Sequence, residues 1–340
     1  MSLSLLVITT FILSFAAIKF FTPLAVNIGL VDIPNERKLH IGHVPLVGGI
    51  AIFLAVLVAS YLFLPNTIEL RMYLIASAMI VFIGALDDKY DLSVHVKLVG
   101  QIIVASILIY GINGYISNFG NLFGFGDITI GAWGIVFSYF AIIVIINAFN
   151  LVDGIDGLAG CLSINTFISI AILFLITNQR NYFVYPLIII AAILPYLMFN
   201  LGLYRKTVQK IFMGDAGSMF IGLSIIWLLT LGTQGESASF RPVTALWICA
   251  MPLMDMLAIF VRRVKKGKSP FKPDRDHLHH ILQRAGLSQA KTLFTIVLLS
   301  VLMSSIGFAG EYFYFAEVLM LVSFLIIFVL YNLLIQKLVK

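Results

Sequence analysis

Charge is what this 340-residue chain has least of: Asp, Glu, Lys and Arg together make up 11% of it, against 61% hydrophobic residues. A soluble globular domain carries about 25% charged residues, so an ordinary water-facing surface is excluded. Cysteine is nearly absent as well. Cys161 and Cys249 both lie at or inside apolar runs, which reads as packing rather than as a disulfide, and no metal-type cysteine spacing occurs. No Walker A, Rossmann or kinase pattern is present, so any nucleotide has to be held by loops. No basic segment precedes the first apolar run, Leu3 to about Leu30, and that run is longer than the apolar core of a signal peptide; it reads as a retained span. The net charge of +6 requires no nucleic acid, because membrane proteins carry Lys and Arg as topology determinants.

What the chain does have is long apolar runs. Stretches of about 18 to 25 apolar residues suit helices crossing a hydrocarbon core of about 30 Å. They fall near 4–26, 45–64, 70–86, 98–115, 130–149, 160–177, 183–202, 212–232, 242–261, 293–309 and 314–335. The expected fold is therefore an all-α polytopic membrane protein of eleven spans, forming a single domain over residues 1–340 with a long polar loop at 262–291. Eighteen of the 22 Lys and Arg fall in the odd-numbered loops and at the C-terminus, whereas the even-numbered loops hold only Arg71, Arg180 and Arg241. That asymmetry places the odd loops and the C-terminus in the cytoplasm and the N-terminus outside.

The acids share the asymmetry, which the positive-inside rule does not require. Asp87, Asp88 and Asp91 lie in the third loop, Asp153 and Asp156 in the fifth, Asp215 at the end of the seventh, and Asp274 and Asp276 in the ninth beside His277, His279 and His280. A cytoplasmic site assembled from several loops is the expectation. The stretch NAFNLVDGIDGLAG sets Asn147, Asn150, Asp153 and Asp156 three residues apart, with Gly154 and Gly157 placed to break the helix and gather them. Asn147 is expected to support that turn. In GALDDKYDLS the adjacent Asp87 and Asp88 form either a solvated helix end or a pair that favours a cation or a shared proton. In FMGDAGS the flanking Gly214 and Gly217 leave Asp215 either as a helix-start acid or where a phosphate or metal can approach the backbone. The histidines lack any zinc pattern and, with Arg275, fit a cationic clamp for a pyrophosphate better. The preceding basic stretch suits topology and attraction to anionic membrane lipids. Asp255 lies inside a span, seven residues before Arg262, and is either a functional group or that arginine's partner.

Acids, amides, cations and a membrane together suit Mg²⁺-assisted phosphoryl transfer, in which positioning and charge neutralisation do most of the catalysis. The ordered set PNERKLHIGHVPLVGG, GALDDKYDLS, HVKLVGQ, NAFNLVDGIDGLAG, FMGDAGSMF and RDHLHHILQRAG resembles the polyprenyl-phosphate N-acetylhexosamine-1-phosphate transferase family over residues 31–286. The chain is more similar to the N-acetylglucosaminyl branch of that family than to its peptidoglycan-precursor branch, whose ninth-loop histidines differ.

The resemblance implies an enzyme of the bacterial cytoplasmic (inner) membrane. In it, undecaprenyl phosphate attacks the β-phosphate of a UDP-N-acetylhexosamine and releases UMP, with Mg²⁺ as cofactor and Mn²⁺ as a substitute. It implies Asn150 and Asp215 as metal ligands, Asp153 beside the metal, and Asp156 on the uracil. Asp87, supported by Asp88, is implied as the base acting on the lipid phosphate. Lys97 and Lys38 are implied on phosphates, and Arg275, His277, His279 and His280 on pyrophosphate and sugar. GlcNAc is the first choice of sugar, with GalNAc, FucNAc and QuiNAc as alternatives that need only pocket changes. A cation-coupled transporter is the rival from another class, although the chain lacks the internal repeat expected of one. The sequence neither requires nor excludes a homodimer.

Overall fold

The computed structural model describes residues 2–33, 42–203, 209–236, 238–265, 267 and 277–339. Lys38 and Arg275 therefore lie outside the described residues. Thirteen helices are present among those described: α1 (Leu3–Ile28), α2 (Gly48–Phe63), α3 (Ile68–Tyr90), α4 (Val94–Gly111), α5 (Trp133–Leu151), α6 (Leu158–Ile176), α7 (Arg180–Asn200), α8 (Gly214–Thr233), α9 (Pro242–Ile248), α10 (Ala250–Lys265), α11 (Leu278–Arg284), α12 (Gln289–Tyr312) and α13 (Glu317–Val339). A two-residue antiparallel pair, β1 (Val31–Asp32) with β2 (Val44–Pro45), is the one small sheet among them.

Each of the eleven expected stretches carries helix. Nine helices are long and apolar enough to cross a membrane, and α2, at 16 residues, is shorter. The stretch expected to be one straight span at 242–261 is instead broken: α9 and α10 meet at an angle of 80°. The physical cause is Pro252, which has no N–H to give the carbonyl four residues back, at Ile248, where α9 stops. The polytopic membrane class follows from these helices and from the large apolar side chains on their outer faces. Phe82, Phe140 and Leu334 are each more than half exposed, as lipid-facing groups should be.

Helix α8 is the axis of the bundle. Of its membrane-length window 83% is buried, against 22% for α1 and 17% for α13 at the periphery. In lipid, helices associate by close packing rather than by a hydrophobic drive, so small residues at a crossing matter. A Cβ built on Gly49 of α2 would stand 2.1 Å from the backbone nitrogen of Gly217, and one on Gly84 of α3 2.4 Å from the Cα of Ala216. A Cβ on Gly222 would stand 2.6 Å from the Cα of Ile146 in α5. Three helices thus touch the first half of α8 backbone to backbone. Further along, Tyr73 of α3 stacks on Trp227 with ring centroids 3.9 Å apart, and its hydroxyl meets Ser224 Oγ at 2.7 Å.

The loops at the start of α8 are fixed in the same way. Phe212 donates its N–H to Pro45 O, and the N–H groups of Gly48 and Gly49 donate to Phe212 O and Met213 O at 3.0 and 2.9 Å. The end of the PNERKLHIGHVPLVGG motif is thereby tied to FMGDAGS, although about 165 residues separate them. Gly49→Ala should lower the stability of the purified protein by about 1–3 kcal/mol, the usual range for overpacking. Thermal unfolding in detergent measures it, and an unchanged midpoint would contradict the backbone contact.

Candidate active site

Asp87 and Asp88 occupy the last turn of α3, and adjacent helical residues point about 100° apart, so the two carboxylates do different things. Asp88 accepts the backbone N–H groups of Asp215 (2.7 Å) and Ala216 (3.2 Å), so it satisfies donors at the start of α8, where the helix dipole favours an anion. Gly214 has φ +72°, and a Cβ there would stand 2.4 Å from Asp88 Oδ2. The conformation and the space both require glycine. Asp87, buried, accepts the Leu92 N–H at Oδ1 and the Lys97 ammonium at Oδ2, each at 2.8 Å. The same ammonium stands 3.7 Å from Asp215 Oδ2, so Lys97 bridges carboxylates from α3 and α8.

The end of α5 approaches from the other side. Asn150 donates Nδ2 to Ser218 Oγ at 2.9 Å, one helical turn from Asp215. Helix α5 stops at Leu151 and α6 starts at Leu158, with Gly157 at φ +77°, so the expected glycine break is present. The Gly157 N–H donates to Asn200 Oδ1 at 2.6 Å, and Asn200 in turn donates to Ile211 O at 2.9 Å. Asn147 does not support the turn as expected. It donates to Gln101 Oε1 at 2.9 Å and to Ile143 O at 2.7 Å, tying α5 to α4. Asp156 holds the Lys210 ammonium at 2.7 Å, and that ammonium also lies 5.0 Å from the Phe212 ring centroid.

Asp153 lies between these groups. Burial, and then the charges of Asp215 and Asp156, push its carboxyl up from 3.8 to about 7. Among the described residues four acids, Asp87, Asp88, Asp153 and Asp215, therefore converge with one ammonium, Lys97. Such a surplus suits a hard cation. Among the described residues no group of three or more His, Cys, Asp or Glu is set to hold a metal. The donors that do gather here are carboxylate and amide oxygens, the type of which Mg²⁺ takes one or two beside water and phosphate.

The histidine segment packs against the α5–α6 turn. His279 is 2% exposed, and a Cβ built on Gly154 would stand 2.1 Å from its Nε2, which has no hydrogen-bond partner among the described residues. Burial, reinforced by His280 and His277 and opposed by Asp255, pushes the His279 imidazole down to about 3. It is therefore neutral near pH 7, which corrects the expected cationic clamp at this position: His279 brings a hydrogen-bonding ring and no charge. His280 lies 4.2 Å from His279 by ring centroids. His277 sits further back, with Nδ1 3.0 Å from Asp255 Oδ2.

Of the residues singled out from sequence, Asp87, Asp88, Lys97, Asn150, Asp153 and Asp215 come together at the start of α8. Asp156 stands one turn away with Lys210, and His279 is joined to them through Gly154. Lys210 was legible only as a topology charge, and Asn200 only as a polar residue at the end of an apolar run. Ser218, at three residues after Asp215, carried a helical-spacing signal.

The raised pKa of Asp153 has a sign that stability can report. As pH climbs, the unfolded chain releases this proton near 3.8 and the fold only near 7, so the carboxyl withdraws stability from about pH 4 to pH 7 and no further above that. In chelator, Asp153→Asn should raise the unfolding midpoint at pH 8 by a few degrees and flatten its decline between pH 4 and 7. A midpoint that falls at pH 8 would show that the carboxylate is satisfied without a cation.

Comparison with known proteins agrees with this geometry. Residues 70–233, from the first turn of α3 to the end of α8, match the model of glycosyl transferase family 4. Over its full length the chain is similar to undecaprenyl-phosphate alpha-N-acetylglucosaminyl 1-phosphate transferases. The Escherichia coli O157:H7 protein is 43% identical over 340 residues, covering 98% of this chain and 90% of that protein. The Yersinia pestis protein is 42% identical (99% and 92% covered), and that of Pasteurella multocida 44% (98% and 92%). With such identity across nearly the whole of both chains, and with its carboxylates gathered inside the matched segment, this chain belongs to glycosyl transferase family 4.

Proposed function

We propose that the chain transfers N-acetylglucosamine 1-phosphate from UDP-N-acetylglucosamine to undecaprenyl phosphate, giving UMP and a lipid-linked sugar pyrophosphate. The observation that carries this reading is the Asp87–Lys97–Asp215 bridge at the start of α8, because it holds paired carboxylates and one ammonium where a phosphate and its cation can meet. An oxygen of the acceptor phosphate attacks the β-phosphorus, the bond from that phosphorus to the bridging oxygen breaks, and UMP leaves with the electron pair. No covalent intermediate on the chain is needed for this displacement.

The residues divide the work. Asp88 has both oxygens on backbone N–H groups and serves as a strut. Asp87 is the reactive member of the pair: its Lys97 contact is exchangeable, so it is placed to take a remaining acceptor proton while Lys97 turns to phosphate. Asp215 and the carbonyl oxygen of Asn150, whose amide nitrogen is occupied by Ser218, are the ligands proposed for Mg²⁺, or Mn²⁺ in its place. When bound, the cation neutralises pyrophosphate charge. Asp156 reads the uracil by exchanging Lys210 for the base, and His277, His279 and His280 serve sugar and phosphates; the roles that the resemblance implies for Lys38 and Arg275 fall outside the described residues.

The charge asymmetry of the loops supports a cytoplasmic position for this site, in a multi-pass protein of eleven spans in the bacterial inner membrane. Transport has no comparable support, since a transporter site belongs near the midplane and these carboxylates sit at the ends of α3 and α5 and at the start of α8. Transfer of GalNAc, FucNAc or QuiNAc phosphate uses the same machinery.

Purified protein in lipid nanodiscs should release UMP from UDP-GlcNAc only with undecaprenyl phosphate and Mg²⁺ present, and a panel of UDP-sugars ranks the donors. Asp87→Asn and Asp215→Asn should each lower turnover at least about 100-fold, in the range lost with one electrostatic stabiliser. Wild-type turnover in Asp215→Asn would remove its role. For orientation, a cysteine replacing the exposed Ala290 should react with an impermeant maleimide in inverted vesicles and not in right-side-out ones.

A further inference from the structure

A buried clasp joins α10 to the start of the HLHH segment through a carboxylate to which the transfer chemistry assigns no role. Asp255 of α10 is 4% exposed, yet both of its oxygens are engaged. Oδ2 lies 3.0 Å from His277 Nδ1, and Oδ1 accepts the Leu278 N–H at 3.0 Å and the Tyr331 hydroxyl of α13 at 3.2 Å. Buried carboxylates persist only when paired and fully hydrogen-bonded, and this one is. The sequence left Asp255 as either a functional group or the partner of Arg262; its hydrogen bonds run to the first residues of the HLHH segment and to the last helix.

An imidazole facing a carboxylate through Nδ1 has its tautomer set by that contact: Nδ1 carries the proton, and Nε2 is the nitrogen left for anything else. Among the described residues the His277 ring has Asp255 as its hydrogen-bond partner, and the residue is only 7% exposed. Its ring lies 5.6 Å from that of His279, nearly parallel to it at 12°, and His279 covers Gly154 in the acidic turn. Asp255 therefore reaches the carboxylate cluster through two histidines and one glycine, without lying in it.

We infer that Asp255 is a positioning residue for the transfer, which fixes the ring of His277 through Nδ1 so that Nε2 is presented to the sugar-nucleotide. The inference rests on the transferase reading for its kinetic arm and on geometry alone for its spectroscopic arm. Asp255→Asn tests it with little change of volume. The amide oxygen can still accept the Leu278 N–H, while the amide N–H₂ faces Nδ1 and drives the ring proton to Nε2.

With ¹⁵N-labelled histidine in nanodiscs, one of the six histidines should show a protonated Nδ1, lose that signal in His277→Gln, and switch nitrogen in Asp255→Asn. In turnover, Asp255→Asn should lower kcat/KM for the UDP-sugar about 10- to 100-fold, the range for second-sphere partners, with the KM for undecaprenyl phosphate unchanged. His277→Gln should lose at least as much, and the double variant no more than His277→Gln alone. Tyr331→Phe, which removes a different bond to the same carboxylate, should lose under about threefold.

Additive losses in the double variant, wild-type turnover in His277→Gln, or a proton retained on Nδ1 in Asp255→Asn would each overturn the inference. A loss in Tyr331→Phe equal to that of Asp255→Asn would reduce the clasp to packing. The labelling arm needs no turnover, so an inactive wild type would count against the transferase reading and not against this one.

Discussion

Two backbone N–H groups at the start of α8 are held by a carboxylate from another helix, and most of this architecture follows from that contact. A helix beginning among polar loops leaves its first N–H groups without partners, and here Asp88 of α3 supplies the acceptors for Asp215 and Ala216. The bond fixes how far α3 runs along α8, and so fixes where Asp87 can reach. It is possible only because Gly84 lets α3 approach Ala216 and because Gly214 leaves room for the carboxylate. Packing and polar geometry thus select the same register.

Electrostatics then decides what such a place can hold. A carboxylate buried near other carboxylates must give up its charge or acquire a counter-charge, and these acids do both. Asp87 takes the Lys97 ammonium, Asp88 takes the positive end of a helix, and Asp156 takes Lys210. Asp153 pairs with no cation among the described residues, and burial beside Asp215 and Asp156 raises its pKa. Lys97 with Asp87 and Lys210 with Asp156 are two ion pairs that offset part of this acidity.

Much of this was legible in the sequence, for identifiable reasons. Apolar runs of membrane length announce helices whatever their neighbours are, so each expected stretch carries one. The kink between α9 and α10 was missed because hydropathy averages over Pro252, which acts on a single hydrogen bond. The polar clusters could be assigned to one end of the bundle because helices carry their ends to a membrane face. Which acid bonds to which group could not be read, since Asp88 and the start of α8 lie about 127 residues apart in sequence. Lys210 was hidden in the same way: a lysine at a loop end reads as a topology charge until its distance to Asp156 is known. The charge of His279 was misjudged because neighbouring basic residues suggested a cationic loop, whereas burial against Gly154 determines the protonation of the ring.

The glycines show most clearly how a motif can be right for a different physical reason. Gly214 and Gly217 flank Asp215 in the manner of a phosphate-binding turn, which invites the reading that a ligand approaches the backbone there. In the structure the protein itself fills both spaces: Asp88 stands against Gly214, and Gly49 against Gly217. The glycines are therefore needed before any substrate arrives, to bring α2 and α3 close enough for their polar ends to share one site. A motif of this kind marks active-site chemistry because it marks the helix crossing on which that chemistry is built. Of the two residues between these glycines, Ala216 packs against Gly84 and Asp215 faces Lys97, so one close crossing sets both the packing and the polar contact.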